Sequence, residues 1–434
     1  MAYDNTTEIN NEKPMNIAVI GGGISGMGAA WKLIQTHNVT LFESEADIGG
    51  HARTRFAGPN RDVPVDTGFM VFNNATYPLM IELFKELQVP STPTSMSFSV
   101  SLDDGKFEYG LSDLQRILAD PSNAANPKFW GMIFDILKFN KQSVLRTQLN
   151  ALTLKELLDE IGVGEYFRQR YLYPLAGAIW STARSDMEAF PAESFVRFFE
   201  NHGLLSATNG PKWRTVVGGS KVYVSKLKTA LLARNVSIRT NCKIIASGRA
   251  PKPWIQADGQ EKQTFDKIIY ACHSNQTMSI LTDASPEETR ILGALRYRPN
   301  KVYLHGDVSH MPKRKSAWSS WVYKGYSNEN ETNGSFTYWM NSLQHIPNET
   351  PVFVTLNPKQ KINEDLIYDE TELWHPQFDV EALAAQKDIG NIQGIQNSWF
   401  CGAYTRYGFH EDGLLSGFTV ADKIIANQNS MVPA

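Results

Sequence analysis

The chain has 434 residues, of which 42% are hydrophobic and 20% are charged. This length exceeds what one ordinary hydrophobic core encloses, so we expect two interleaved domains. The formal net charge of −3 carries no polyanion-binding signature, and we therefore expect no nucleic-acid partner.

The cysteines and the N-terminal residues bear on the compartment. Cys242, Cys272 and Cys401 lie far apart, and the chain has no C-x-x-C or H-x-x-x-H spacing, so we expect a reducing compartment and no metal site. Residues 1–14 are polar and lack the apolar segment of a signal peptide, which favours a disordered extension. No run of about 18 apolar residues predicts a membrane span. We therefore predict a cytoplasmic protein.

Residues 16–30 predict the first turn of a nucleotide-binding βαβ unit. Gly21, Gly23 and Gly26 have G-x-G-x-x-G spacing between an apolar strand and a helix. We expect the first to form a tight turn, the second to admit a pyrophosphate, and the third to let the helix lie on the strand. The helix N-terminus adds unpaired N–H groups and a positive dipole end. Glu43, 22 positions after Gly21, can accept the ribose hydroxyls.

A second glycine motif, GGHART at residues 49–54, follows that acid. The succession of strand, acid, two glycines and a basic residue resembles the second fingerprint of FAD-binding proteins. On these motifs the chain is identified as a member of the flavin-dependent amine oxidoreductase superfamily, which also contains monoamine oxidases, phytoene-type desaturases and protoporphyrinogen oxidases. His51 stands where many relatives carry Arg, so it is open whether His51 or Arg53 meets the pyrophosphate.

Residues 63–73, VPVDTGFMVFN, place a glycine between apolar, strand-like pieces. Such a glycine indicates close approach of the backbone to another group. The resemblance implies that Gly68, Phe69 and Met70 lie beneath the isoalloxazine ring. A bulged strand is the alternative interpretation.

The following segment, up to residue 205, is expected to form the first part of a substrate domain. Helical periodicity spans 77–89, and a hairpin is predicted to join 97–102 to 107–109. The chain is then mostly helical. The apolar segment 129–139 is surrounded by lysines and predicts either a buried helix or one that touches a membrane surface.

The chain then returns to the nucleotide-binding domain. A helix is predicted over 222–232 and a single strand over 236–245. The resemblance implies that Ile244 meets adenine through its backbone. It also implies that the strand over 267–274, which contains Ala271, ends near the nucleotide phosphates.

Residues 286–390 predict the second part of the substrate domain. Their β-branched and aromatic runs favour an antiparallel sheet that could wall a pocket facing the flavin. These runs are 302–305, 317–323, 335–340 and 352–356. The basic run at 313–315 is interpreted as a solvated loop, with a lipid-phosphate contact as the alternative.

The closing motif begins with a strand over 399–404, and GFHEDGLLSG at 408–417 then opens a helix. The positive end of that helix can stabilise negative charge at the N1/O2 edge of the flavin. The resemblance places Phe409 at one position of the aromatic cage found in amine oxidases of the superfamily.

These elements predict an α/β fold: a Rossmann-like FAD-binding domain of the glutathione-reductase type with an interleaved α+β substrate domain containing an antiparallel sheet. We assign 15–76, 206–285 and 391–427 to the first domain, and 77–205 and 286–390 to the second. No cysteine falls where the superfamily tethers its flavin, so we expect noncovalent FAD. The residues expected to contact FAD are Gly21, Gly23, Ile24, Ser25, Gly26, Glu43, Ser44, Gly49, Gly50, His51, Arg53, Gly68, Phe69, Met70, Ile244, Ala271, Gly402, Glu411, Asp412, Gly413 and Leu414.

Longer motifs resemble a branch of bacterial NAD/FAD-binding proteins that accompany cyclopropane-fatty-acid-synthase-like methyltransferases. The motifs are DTGF at 66–69, IWST at 179–182, NHGLL at 201–205, WRTVVGGS at 213–220 and GFHEDG at 408–413. The resemblance implies desaturation of an unsaturated or methylated fatty acyl chain. Peripheral contact with the inner membrane face would suit that substrate.

The alternatives are an amine oxidase, a fatty acid double-bond isomerase and an FAD-binding redox sensor. For proton transfer we single out His410, Glu411 and His305, each of which can equally be structural or orient the flavin. The sequence leaves the oligomeric state open.

Overall fold

The computed structural model describes residues 13–146, 149, 152–180, 187–201, 205, 210–326 and 334–429. Most of the expected N-terminal extension lies outside these residues. So do residues 181–182 and 202–204 of the family motifs.

The strands, in chain order, are β1 (Asn16–Ile20), β2 (Asn38–Phe42), β3 (Thr54–Ala57), β4 (Val63–Asp66), β5 (Phe72–Asn73), β6 (Ser91–Pro93), β7 (Phe98–Leu102), β8 (Phe107–Gly110), β9 (Trp213–Val216), β10 (Ser237–Arg239), β11 (Ile244–Gly248), β12 (Trp254–Ala257), β13 (Lys262–Thr264), β14 (Lys267–Tyr270), β15 (Tyr297–His305), β16 (Trp321–Gly325), β17 (Ser335–Trp339), β18 (Phe353–Leu356), β19 (Ile367–Pro376) and β20 (Ser398–Phe400).

The α-helices are α1 (Ile24–Leu33), α2 (Pro78–Glu86), α3 (Leu114–Ile117), α4 (Pro127–Leu145), α5 (Leu154–Ile161), α6 (Glu165–Phe167), α7 (Tyr173–Trp180), α8 (Ala192–Asn201), α9 (Lys221–Ala233), α10 (Ser274–Ile280), α11 (Pro286–Ala294), α12 (Met340–Gln344), α13 (Val380–Asp388) and α14 (His410–Asn429). A π-helical turn, Arg168–Leu172, joins α6 to α7. Within the described ranges, no helix is both long and apolar enough to cross a bilayer.

A parallel sheet with strand order β10-β2-β1-β14-β20 carries the nucleotide motifs. Its central strand is apolar on both faces, as expected when helices cover both sides. Ile17 and Val19 belong to the core on the side of α1 and α14, whereas Ala18 and Ile20 belong to the core on the opposite side. The predicted fold class is confirmed.

The single strand predicted over 236–245 is wrong. The chain forms β10 in the parallel sheet and β11 in a separate sheet with β12 and β13. Asn241, between them, adopts φ +49°, and its N–H donates to the Glu45 carbonyl at 2.8 Å. A left-handed residue of this kind cannot continue a strand.

The second large sheet has the order β19-β15-β18-β17-β16-β7-β8. The pairs are antiparallel except for β7 with β16, which run parallel. The sheet therefore joins strands from both segments that we expect in the substrate domain. Edge strand β19 was not among the predicted runs. The proposed domain boundaries stay a prediction.

Helix α4 packs against this sheet and α8 through one face only. Phe129, Met132 and Phe139 are buried, and the Phe139 ring lies 6.4 Å from that of Phe195. On the opposite face, Phe134 is 68% and Leu137 is 51% exposed. The apolar segment 129–139 is thus a buried helix on one side and an apolar surface on the other.

Candidate active site

The glycine loop between β1 and α1 is shaped by close backbone contacts. Gly21 adopts φ +112°, and a Cβ placed on it would lie 2.8 Å from the Ala271 carbonyl. A Cβ on Gly26 would lie 2.0 Å from the Gly21 oxygen. By contrast, a Cβ on Gly23 would meet no atom within 4 Å. The loop therefore leaves open space at the N-terminus of α1, where an anion is favoured.

Glu43 borders the same loop at the end of β2. Its Oε2 accepts a hydrogen bond from the Gly22 N–H at 2.8 Å. Its Oε1 accepts from the Glu45 N–H and the Ser44 hydroxyl, both at 3.0 Å. These hydrogen bonds fix the carboxylate beside the glycine loop, and its role in ribose recognition stays a prediction.

The second glycine motif lies directly on the first. The Gly49 N–H donates to the Gly22 carbonyl at 2.8 Å, and a Cβ on Gly50 would lie 3.2 Å from Gly23 Cα. Arg53 points elsewhere, because its guanidinium binds the Asp369 carboxylate of β19 in bidentate fashion, at 2.6 and 3.1 Å. This ion pair occupies the Arg53 guanidinium, and a contact of His51 with the pyrophosphate stays a prediction.

The segment expected beneath the isoalloxazine ring lies between β4 and β5 and is not a strand. A Cβ on Gly68 would lie 2.1 Å from the His51 carbonyl oxygen, which accepts the Phe69 N–H at 2.8 Å. The Met70 carbonyl accepts from the Thr215 hydroxyl at 2.9 Å. The backbone is thus fixed from both sides.

His410 and Phe69 form a stacked pair, with ring centroids 4.0 Å apart and planes 9° apart. His410 Nε2 also lies 2.7 Å from the hydroxyl of the buried Tyr223. Burial lowers the pKa of His410 to about 3, so the ring is neutral at neutral pH. Of the three proton-transfer candidates, His410 alone stacks on a residue of the predicted flavin segment.

Glu411 has a structural role in this arrangement. Its two carboxylate oxygens accept the Leu79 and Met80 N–H groups at 2.8 and 3.0 Å, which caps α2. Burial raises its pKa. Asp412 similarly accepts the Tyr407 and Phe409 N–H groups, at 3.2 and 3.0 Å.

His305 does not join the other site residues. Its Nε2 lies 2.7 Å from the Thr355 hydroxyl, and its Nδ1 accepts the Asp307 N–H at 3.1 Å. Both ring nitrogens are therefore used inside the sheet, and the residue is fully buried. Burial lowers its pKa to about 3. We interpret His305 as structural.

The remaining predicted FAD residues lie around α1 and α14. A Cβ on Gly413 would lie 2.8 Å from Ile24 and 3.0 Å from the Ser25 hydroxyl. Leu414 packs against Gly28, and the Gly402 N–H donates to Ser416 at 2.9 Å. Ile244 begins β11 and is buried in the core on the opposite side of the parallel sheet. All assigned FAD contacts stay predictions.

The model of the family described as flavin containing amine oxidoreductase matches residues 24–374. The chain belongs to this family. Its cofactor is FAD. A curated relative, the FAD-dependent oxidoreductase dpasF of Apiospora sacchari, is 42% identical over 64 residues, which cover 14% of this chain and 13% of that protein.

Solved structures share the fold of this flavin-containing amine oxidoreductase over nearly its whole length. The conjugated-linoleic-acid-producing fatty acid isomerase from P. acnes has a TM-score of 0.69 and 14% identity, covering 95% of this chain and 99% of that one. A triple mutant of putrescine oxidase has a TM-score of 0.68 with the same identity and coverage. Cyclohexylamine oxidase from Brevibacterium oxydans has a TM-score of 0.67 and 15% identity, covering 96% and 100%.

The residues of this amine oxidoreductase fit FAD. The open space at Gly23 is bordered by the N-terminus of α1, the Glu43 carboxylate and the backbone of Gly50. These groups suit a pyrophosphate and a ribose. Glycines at 413 and 417 bring α14 against α1, so that N-terminal and C-terminal motifs border one site.

Aromatic rings extend from the C-terminal motif of the oxidoreductase into the substrate side. Phe409 stacks on Phe198 of α8 at 5.2 Å, and Tyr407 lies 6.5 Å from the same ring. Both, with Met70, pack against the core of the seven-stranded sheet and its helices. The assignment of Phe409 to an aromatic-cage position stays a prediction.

Two further histidines near the glycine loop were not predicted. His273 and His375 each lie within 6 Å, centroid to centroid, of His51. His273 follows Ala271 and Cys272 directly, so its position after a strand of the nucleotide domain was an available signal. His375 lies on the unpredicted strand β19, and only the three-dimensional structure places it here.

Proposed function

We propose that the chain is an FAD-dependent oxidoreductase that desaturates an unsaturated or methylated fatty acyl chain. The observation that carries the proposal is the apolar wall of Phe409, Phe198, Tyr407 and Met70 beside the predicted flavin segment. Such a wall suits an acyl chain, because its aromatic and thioether side chains offer apolar contact.

The carboxylates near the site support an apolar substrate over a cationic amine. Glu411 and Asp412 are occupied by backbone N–H groups. Asp66 is buried, and its carboxylate accepts hydrogen bonds from Thr54, Ser220 and Gln344. None of these three acids is free to bind an ammonium group.

When bound, FAD accepts a hydride equivalent from a C–H bond of the substrate. The protein's part is to orient the chain and exclude water. The stacked Phe409 and Phe198 rings limit how the acyl chain can lie. The hydrogen bond between His410 and Tyr223 can hold a proton at Nε2 or at the phenol oxygen. Because burial opposes charge on both side chains, the pair is neutral before substrate arrives.

A double-bond isomerase is a second candidate, since the same apolar wall would serve an acyl chain that undergoes no net oxidation. The fold shared with a fatty acid isomerase accords with this alternative but describes the fold alone.

Anaerobic mixing of the FAD-loaded protein with phospholipids that carry unsaturated acyl chains tests the proposal. We expect loss of oxidised flavin absorbance and a lipid product two hydrogens lighter by mass analysis. The matched control is a saturated lipid of equal chain length, which should leave the absorbance unchanged. A product of unchanged mass with a moved double bond would identify an isomerase. Loss of absorbance with amines instead would identify an amine oxidase.

A further inference from the structure

Three histidine rings from three separate elements meet beside the glycine loop. The centroid of the His51 ring lies 5.7 Å from that of His273 and 5.8 Å from that of His375. His51 belongs to the second glycine motif, His273 follows β14, and His375 lies near the end of β19. We call these three side chains the histidine cluster.

Two members of the cluster flank the loop that is expected to hold the pyrophosphate. His51 follows Gly50, whose Cβ would lie 3.2 Å from Gly23 Cα. His273 follows Cys272, whose backbone nitrogen would lie 3.0 Å from a Cβ on Gly21. The cluster is therefore next to the open space at Gly23.

His375, the third member, belongs to the cluster because β19 is fixed across the second glycine motif. Its Asp369 binds Arg53 in bidentate fashion, and the backbone of Trp374 forms a hydrogen bond with His51. The same ion pair removes the Arg53 guanidinium from the loop. The region beside the open space at Gly23 thus holds imidazole rings in place of the Arg53 guanidinium.

No counter-charge accompanies the cluster. Among the described residues, no carboxylate lies within ion-pair distance of these rings, and no group of three metal-ligating side chains has the arrangement of a metal site. Burial and the neighbouring imidazoles lower the pKa of His273 and His375 to about 3, and burial lowers that of His51. The titratable or charged groups on the surrounding elements are Glu43, Asp47, Cys272, Tyr297, His410 and the Arg53–Asp369 pair.

We propose that the histidine cluster is a proton-accepting anion site for the pyrophosphate of FAD. A dianion beside the rings favours their protonated form, so the cofactor binds together with protons. The cluster is neutral in the free protein and gains protons in the complex, so affinity falls as pH rises from the pKa values of the free protein to those of the complex and levels off above them. For each proton taken up, the Kd for FAD should rise up to about tenfold per pH unit. The inference depends on the cofactor and not on the substrate proposed above.

Calorimetric titration of FAD into the apoprotein, repeated near pH 6.5 in phosphate-free buffers of different ionisation enthalpy, counts the protons taken up. We expect uptake with FAD and with ADP-ribose, which carries the same pyrophosphate diester and no phosphate that titrates near this pH, and none with riboflavin, which lacks the pyrophosphate. Uptake with riboflavin equal to that with FAD would place the protons at the isoalloxazine ring and overturn the proposal. Absence of uptake with both FAD and ADP-ribose would overturn it as well.

Variants separate the cluster from other histidines. His273→Gln and His375→Gln should each lower the proton count and flatten the dependence of the FAD Kd on pH. The matched control is His345→Gln, an exposed histidine that bonds the Pro93 carbonyl outside the site. Circular dichroism and the binding stoichiometry establish that each variant is folded. Unchanged proton uptake in the folded double variant His273→Gln/His375→Gln would overturn the proposal.

Discussion

Asp66 shows how strongly single residues near the site depend on burial. Its carboxylate is 1% exposed and accepts hydrogen bonds from Thr54, Ser220 and Gln344. Burial nevertheless raises its pKa to about 6, because desolvation of the charge outweighs the hydrogen bonds. The protein therefore holds a costly charge that links β4 to α9 and α12.

This charge should make stability depend on pH. The folded-state pKa lies above the usual 3.8, so the folded state binds more protons between the two values, and stability falls as pH rises through that window. Relative to Asp66→Asn, the wild-type free energy of unfolding should fall by about 2 kcal/mol between pH 4 and pH 7. Urea denaturation of the apoprotein at several pH values measures it.

The matched control is Asp62→Asn, an exposed acid four positions earlier. This control should follow the wild-type pH dependence. A constant difference between wild type and Asp66→Asn at every pH would contradict the expected charge.

At the residue scale, local spacing predicts the backbone of the site but not the partners of its side chains. The glycine spacing predicts a loop with open space at Gly23, and the structure has one. The partner of Arg53 is 316 positions away in the chain, and no local pattern indicates it. For the same reason, the sequence could single out His410 but not its stacking on Phe69.

At the scale of elements, hydrophobic periodicity predicts the strands with apolar alternation and misses β19. This strand carries Asp369, Glu370 and Glu372, so its pattern is typical of an exposed loop. It forms because it pairs along β15 at the sheet edge and because Arg53 neutralises one of its acids. Strand β19 also supplies His375. One of the two histidines that sequence analysis missed thus lies on the strand that it missed, whereas the other, His273, follows the predicted strand β14.

The two faces of α4 lead to a prediction about membranes. Its outer face combines the exposed Phe134 and Leu137 with Lys141, whose charge complements anionic phospholipids. We expect the protein to float with vesicles of phosphatidylcholine and phosphatidylglycerol in equal parts, and less with phosphatidylcholine alone. The double variant Phe134→Asp/Leu137→Asp should lose most of this binding.

Leu232→Asp is the control for α4, since this leucine is 49% exposed on α9 and should be neutral in vesicle binding. Sedimentation of the wild type and the double variant in solution tests the competing explanation. A wild-type dimer that the double variant dissociates would show that the face binds a second copy instead.

At the scale of the whole molecule, α14 closes the site by lying on α1. A Cβ on Gly417 would lie 2.2 Å from the Ser25 carbonyl oxygen. Gly417→Ala should therefore push the helices apart and cost about 2 kcal/mol of unfolding free energy, with weaker FAD binding. Gly293→Ala is the matched control, because a Cβ there meets nothing within 4 Å and α11 should gain up to about 1 kcal/mol. Thermal unfolding and FAD titration of both variants measure these effects.

The overall architecture was predictable because each half of the FAD site carries its own glycine signature. The sequence could not predict how the two segments of the expected substrate domain combine in one sheet. Strand β7, which pairs with β8, joins β16, more than 200 positions later, through a parallel pairing. Such long-range pairing depends on the packing of the whole molecule, and the local sequence of neither strand indicates its partner.

The contact between α1 and α14 joins one helix that is made early with another that is made late during synthesis. Leu33 ends α1, and His410 begins α14. At about 5–20 residues per second, a ribosome needs roughly 20–75 s to make the intervening chain. During this time the part of the FAD site formed by α1 lacks α14. We therefore expect capture of FAD to be a late step of biogenesis, and a nascent chain stalled before residue 410 to stay colourless.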